Sequence, residues 1–291
     1  MDTNTLQAFI AVAESRSFSK AADHLYLTQS AISKRIALLE DQLSSKLFDR
    51  IGRTVSLTEA GAALLPRAKD ILLQLDDAKR AIGNLNAGDV IGGLSLAASH
   101  HISLHRLPPY LKKFSHECPK VELDLQFAES EVAYEGVLKG DFELALITLS
   151  PAPDPSIHSD LIWDDLLMYV VAKDHPLAQA DKIKLEELTH YNAILPGSNT
   201  FTRSLVETLF FQHALTLNVT MSTNYLDTIR MMVNIGLGWS LLPQSLVGDD
   251  LKTLNVIDSE PVHRNLGIIY HKNRTLSNAA NHLVQMLKSQ R

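Results

Sequence analysis

The chain has 291 residues, 45% of them hydrophobic, 21% charged and 6% aromatic, with a single cysteine, Cys118. At roughly 100–200 residues per domain, this length predicts two or three domains, each able to bury a core. The hydrophobic content excludes a disordered chain, and one cysteine excludes a disulfide-built scaffold. No apolar run approaches the ~18 residues of a membrane span. Met1-Asp2-Thr3-Asn4 lacks the basic lead of a signal peptide, so the expected location is the cytoplasm with no membrane partner. The net charge of −6 argues, taken whole, against a nucleic-acid binder. That charge is unevenly placed: residues 1–88 hold 11 Lys/Arg and 10 Asp/Glu, whereas residues 89–291 hold 16 and 23.

The first 57 residues read as three short helices and a hairpin. Leu6, Phe9, Ile10 and Ala13 recur at helical spacing; Ser17 or Ser19 caps a second helix with Ala21, Ala22 and Leu25. After the break at Tyr26-Leu27, Thr28 is a good N-cap for a third helix with Ile32, Ile36, Leu39 and Leu43 on one face. Two short helices so joined make a helix-turn-helix candidate. Residues 48–57, β-branched around Gly52, suit a small wing. From Thr58 a long helix carries Leu64, Ala68, Ile71, Leu75, Ala78, Ile82 and Leu85 in heptad spacing, flanked by charge, which predicts a dimer seam. Pro66 predicts a bend within it, and Gly83, Gly88, Gly92 and Gly93 predict a hinge after it.

Beyond the hinge, strands alternate with helices. Strands are predicted at 94–98, 121–125, 143–147, 167–171, 219–221 and 266–270, and helices near 103–116, 130–139, 201–213 and 225–235. This is the pattern of an α/β sheet with ligands at the carboxyl ends of its strands.

In the third helix, Gln29, Ser30, Ser33 and Lys34 form a stripe turned away from the apolar one, so one face can be buried while the other enters a groove. Gln suits adenine, Lys suits guanine, and Ser suits either kind of partner. Arg50 and Arg53 on the wing suit phosphate or the minor groove. A solvated polar face is the plainer reading of any such stripe; the ordered set of helix, capped helix, basic wing and seam favours DNA.

Leu6-x-x-Phe9, Ser17-Phe18-Ser19-Lys20-Ala21-Ala22, Leu27-Thr28-Gln29-Ser30-Ala31-Ile32-Ser33, Ile36-x-x-Leu39-Glu40, Leu47-Phe48-x-Arg50 and Leu57-Thr58-x-Ala60-Gly61 resemble the N-terminal signature of LysR-type transcriptional regulators. Gly236 to Pro243 resembles that family's turn and strand after a pocket-lining helix. The resemblance implies an α+β chain. It has a winged helix-turn-helix domain at 1–57, a linker and dimerisation helix with hinge at 58–89, and an effector domain of periplasmic-binding-protein type at 90–291. The effector domain divides into subdomains of about 90–161 with 266–291, and about 162–265. It implies base-facing roles for Gln29, Ser30, Ser33 and Lys34, wing roles for Arg50 and Arg53, and a phosphate contact at Ser17. Many members carry proline in place of Ser30 and arginine in place of Lys34, and lysine lacks the arginine fork.

For the effector domain, the candidates at strand ends are Ser99, His100, His101, Ala128, Glu129 and Thr148, with Pro196, Gly197, Ser198, Asn199, Thr200 and Tyr225 to Thr228 from the second subdomain. Free N–H groups at the helix starts nearby favour a carboxylate or similar anion. His101 and His105, spaced i and i+4, have no acidic residue or cysteine close in sequence to complete a metal site, so no metal or cofactor is expected. His100 or His101 is expected to make binding sensitive to pH near 6. Arg203 is either an anion anchor or one half of a surface ion pair.

Dinucleotide, phosphate-loop, zinc-protease and nucleophile-elbow motifs are missing, and Cys118 has no evident base, so no enzymatic activity is expected. The expected function is a homodimeric or homotetrameric regulator that binds an inverted repeat on double-stranded DNA. It answers to a small molecule and acts through DNA contacts or RNA polymerase. A cytoplasmic α/β enzyme and a solute-binding protein are the alternatives.

Overall fold

Helix caps set the N-terminal unit. The computed structural model describes residues 1–51, 54–85 and 90–289, and the chain divides into two compact units, Met1–Asn86 and Ala87–Arg291. Helix α1 (Thr3–Ser15) starts at Asp2, whose carboxylate accepts from the Thr5 N–H at 2.8 Å. Helix α2 (Phe18–His24) is capped by Ser17, which accepts from Lys20 N–H, and α3 (Gln29–Leu43) by Thr28, which accepts from Ala31 N–H. Each cap satisfies an N–H that the helix leaves unpaired. Leu6, Phe9, Val12, Ala21, Ile32, Ile36 and Leu39 close into one core, while Leu43, expected on the buried face, is 39% exposed because it falls on the last turn of α3. Strands β1 (Phe48–Ile51) and β2 (Thr54–Leu57) pair antiparallel as the wing.

Helix α4 (Glu59–Leu85) runs through Pro66. Its start is pinned to the segment that leads into the wing: Thr58 Oγ1 donates to the Lys46 carbonyl at 2.6 Å and accepts from Gly61 N–H at 3.0 Å. A Cβ on Gly61 would lie 2.2 Å from the Leu47 carbonyl oxygen, so this approach requires glycine. The heptad seam divides here. Ala68 is fully buried in the unit's own core, and Leu64, half-buried, packs against that core. Ile71, Leu75 and Ala78 are exposed. The side chains of Ile82 and Leu85 lie outside the described residues. Of the expected hinge glycines, Gly83 lies within α4 and Gly88 is outside the described residues, while Gly92 and Gly93 open a strand, Gly92 at φ +102°.

The second unit is built on a seven-stranded mixed sheet. Strands β3 (Gly92–Ala98), β4 (Val121–Phe127) and β5 (Leu144–Thr148) are parallel, with α5 (His100–His105), α6 (Pro108–Glu117) and α7 (Ser130–Lys139) between them. One continuous helix was expected near 103–116; it is broken because Pro108 and Pro109 lack N–H groups and start a new helix instead. Strand β6 (Ile157–Ala172) is 16 residues long, and 167–171 is only its last third. The short strand β7 (Ala193–Leu195) precedes α8 (Phe201–Gln212), and β8 (Val219–Ser222) pairs with β7 before α9 (Leu226–Asn234). Strands β9 (Ser240–Pro243), β10 (Leu251–Thr253) and β11 (Val262–His271) and helix α10 (Asn278–Lys288) complete the unit. Sheet order is β10-β6-β11-β5-β3-β4, with β9 also on β6.

Strands β6 and β11 are antiparallel over their length, with a register shift at Leu266/Gly267. They join two cores: Leu94, Leu144, Ile268 and Leu283 on one side, and Val171, Leu195, Phe210 and Trp239 on the other. Trp239 is fully buried, stacks on Phe210 at 5.7 Å and donates from Nε1 to the Leu188 carbonyl at 3.0 Å. No helix among the described residues is long and apolar enough to cross a membrane.

Candidate functional site

Two surfaces collect the sequence candidates. In the N-terminal unit, burial of Ile32, Ile36 and Leu39 turns Gln29, Ser30 and Lys34 outward; all three are exposed, and Ser33 is half-buried at the edge. Ser30 Oγ shares a hydrogen bond with the capping Thr28 hydroxyl at 3.0 Å, which orients it at the start of α3. Ser17 caps α2 and is half-buried. Arg50 lies on β1 in register with Val55, and Arg53 falls outside the described residues. One residue was passed over: Tyr26, in the turn before α3, is 96% exposed and has φ +53°. Aromatic residues rarely hold that conformation, and its signal was its place in the tight helix-to-helix turn.

In the second unit, a cleft of about 220 Å³ opens between the ends of β3, β4 and β5 and the starts of α8 and α9. Ser99, His100, His101, Ala128, Thr148, Pro196 and Thr200 line it together. Gly197, Ser198 and Thr228 do not. Gly197 N–H donates to Asn224 Oδ1 at 2.8 Å and so positions a lining residue; Ser198 is exposed on the turn, and Thr228 N–H turns back to the Tyr225 carbonyl. Arg203 is not an anchor for this cleft. It is buried beneath the turn, pairs with Glu207 at 2.7 Å and donates to the Pro196 carbonyl at 3.3 Å, bracing the turn from behind.

The floor holds a group that no local motif announced. Arg264 and Asp165 are cross-strand partners on β11 and β6, 4% and 2% exposed, joined by Nε at 3.1 Å and Nη2 at 2.5 Å to Asp165 Oδ2. Arg106 Nη2 reaches the other carboxylate oxygen at 3.1 Å. The available signal was a charged residue in the inward phase of a strand, since Val262, Arg264 and Leu266 share the buried face of β11. His101 lies against this network, 7% exposed, with neither ring nitrogen hydrogen-bonded and Nε2 4.0 Å from Asp165 Oδ2. Burial, then the Arg264 charge, push its pKa down to about 3, so His101 is neutral and that contact is not an ion pair. Of the two histidines, His100 or His101, expected to make binding sensitive to pH near 6, His101 is therefore excluded.

Across the mouth, Asn224 Nδ2 donates to Glu129 Oε1 and the Phe201 N–H to Glu131 Oε1, each at 2.6 Å. The His100 ring meets Tyr225 edge-on at 5.1 Å, and His105 Nε2 lies 3.9 Å from Asp227 Oδ2. The His101 and His105 rings are 4.8 Å apart, but no group of three or more residues able to hold a metal ion occurs among the described residues.

The His101 shift has a consequence for stability. Unfolded, its imidazole takes up a proton near pH 6.5; folded, only near 3. Between those values the unfolded chain binds the extra proton, so the contribution is full above pH 6.5 and is lost as pH falls toward 3, at up to ~1.4 kcal/mol per pH unit. His101→Gln, which cannot ionise, is expected to lose less stability than wild type between pH 7 and 5, by about 1–2 kcal/mol in urea unfolding. Equal losses would mean that His101 ionises freely in the folded protein.

A helix-turn-helix unit followed by an α/β unit with a ligand-sized cleft defines the class of ligand-responsive DNA-binding regulators. The family model described as LysR substrate binding domain matches residues 87–291, and that for the bacterial regulatory helix-turn-helix protein, lysR family, matches residues 3–62. An uncharacterized HTH-type transcriptional regulator in the ibpB-leuC intergenic region of Azotobacter vinelandii is 66% identical over 109 residues, 38% of this chain and 75% of that protein. The HTH-type transcriptional activator CmpR of Synechocystis is 31% identical over 277 residues, covering 93% and 90% of the two chains. A cysteine variant of full-length OxyR from Pseudomonas aeruginosa matches in fold with a TM-score of 0.73 at 21% identity, over 99% of this chain and 98% of that one. The chain belongs to the LysR family of transcriptional regulators. It is a ligand-responsive, DNA-binding transcriptional regulator.

Proposed function

We propose that the protein binds an inverted-repeat operator as a homodimer or homotetramer and changes its DNA contacts when a small molecule bearing a carboxylate occupies the cleft. The observation that carries this is the pairing, in one chain, of an outward polar stripe on a capped α3 with a cleft bridged by Glu129–Asn224 and Glu131–Phe201. Gln29, Ser30, Ser33 and Lys34 read bases, and Ser17, Arg50 and Arg53 hold the backbone. Among the described side chains of the α4 seam, Ile71, Leu75 and Ala78 are exposed; the seam joins two protomers, so that each α3 meets one half-site. With residues 1–88 nearly neutral, affinity comes from a few placed cations repeated by symmetry rather than from a broad positive field. The regulator works in the cytoplasm, and its output passes through contact with RNA polymerase.

Selection of bound sites from random duplex DNA by the full-length protein is expected to return an inverted repeat. Lys34→Ala should lose about 1–3 kcal/mol of discrimination at one base step in each half-site. Equal weakening on selected and scrambled sites would make Lys34 a phosphate contact instead, and recovery of a single asymmetric site would overturn the symmetric reading.

A further inference from the structure

The cleft has two ends of opposite character. At its floor stands Arg264, and behind it Asp165 is shared between Arg264 and Arg106, which itself does not line the cleft, so the three groups together carry one positive charge in excess. His101, 7% exposed with both ring nitrogens unpartnered, lines the same floor, and Ser99 and Thr148 stand beside it. An imidazole so buried has given up its water, and a group entering the cleft is what would pair it. At the rim stand Glu129 and Glu131. Each uses only Oε1 in the bonds across the mouth, and among the described lining residues Arg264 is the only Lys or Arg.

Resting on the reading of this cleft as the effector site, we propose that its ligand is a small zwitterion, an α-amino acid or close relative, held with its carboxylate on the floor and its ammonium at the two glutamates. A dicarboxylate would set its second charge against Glu129 and Glu131, and an amine without a carboxylate would leave the floor's excess charge and His101 unmatched. The volume of about 220 Å³ suits a molecule of that size. Phe127 and Tyr225, 63% and 56% exposed at the mouth, offer an apolar side chain a surface.

The test is calorimetric titration and thermal shift on the full-length protein. The probes are the twenty common free L-amino acids, the N-acetyl and methyl-ester derivatives of any that bind, and a set of aliphatic and aromatic carboxylic acids. At least one amino acid is expected to bind and raise Tm, with the N-acetyl form, lacking the ammonium, and the ester, lacking the carboxylate, each weaker by roughly tenfold or more. Glu131→Gln keeps an acceptor for the Phe201 N–H, so the variant should melt as wild type does without ligand yet bind the amino acid about tenfold more weakly. Binding of a carboxylic acid that lacks an amine, with no amino acid binding, overturns the zwitterion and leaves the cleft as an effector site. Binding of no probe also overturns the zwitterion. If a low-molecular-weight cell extract then leaves the operator footprint unchanged, the effector reading falls with it.

Discussion

Arg264→Met is expected to destabilise the 87–291 unit by about 3–5 kcal/mol. The cost comes less from the lost attraction than from the carboxylate left behind. Asp165 is 2% exposed and would keep only Arg106, whose side chain is 31% exposed and can turn to water. Replacing both members, Arg264→Met with Asp165→Leu, should recover most of the loss, because an apolar pair of similar volume removes the stranded charge. Urea unfolding followed by the fluorescence of the unit's two tryptophans, Trp163 and Trp239, reads the difference. A single variant within about 1 kcal/mol of wild type would show that Asp165 is neutralised or hydrated without Arg264. The pair ties together the strands that join the two cores.

Phe9→Ala carries a comparable effect in the other unit. Phe9 is fully buried, and its ring lies 5.4 Å from that of Phe48 at the foot of the wing. Truncation of a buried phenylalanine costs about 3–5 kcal/mol, a large share of the roughly 5–15 kcal/mol that holds a typical domain. The same core fixes α3 through Ile32, Ile36 and Leu39, so the variant should lose operator binding well below the temperature at which the second unit melts. Calorimetry should show the first transition displaced and the second unmoved. Unchanged operator affinity at 37 °C with a normal first transition would mean that α3 is held without this contact.

Much of the DNA-reading unit was legible because its signals are local. Ser17, Thr28 and Thr58 cap helices through bonds to N–H groups three residues away, and the apolar spacing of α3 alone shows which face is turned out. The α4 seam was legible only as a pattern. A heptad stripe does not say which partner it meets, and Ala68 met the core of its own unit while Ile71 and Leu75 stayed exposed. Most predicted residues of the cleft came from the family resemblance, which implies a cleft between two subdomains, joined to the rule that loops after parallel strands gather at one edge of the sheet. Arg264 was invisible to that rule because it sits within a strand rather than at its end.

The sequence by itself determined the family, the winged helix-turn-helix, the outward stripe of α3 and the loops that bound the cleft. These follow from contacts within a few residues and from periodicities that survive in any one-dimensional reading. Only the tertiary structure decided the chemistry of the cleft. Asp165 and Arg264 lie 99 residues apart and meet by strand register; Glu129 and Asn224 lie 95 apart and meet by the approach of two turns. Burial of His101 follows from both. A side chain's protonation and pairing depend on the dielectric and the charges around it, and those are set by which distant segments fold against it.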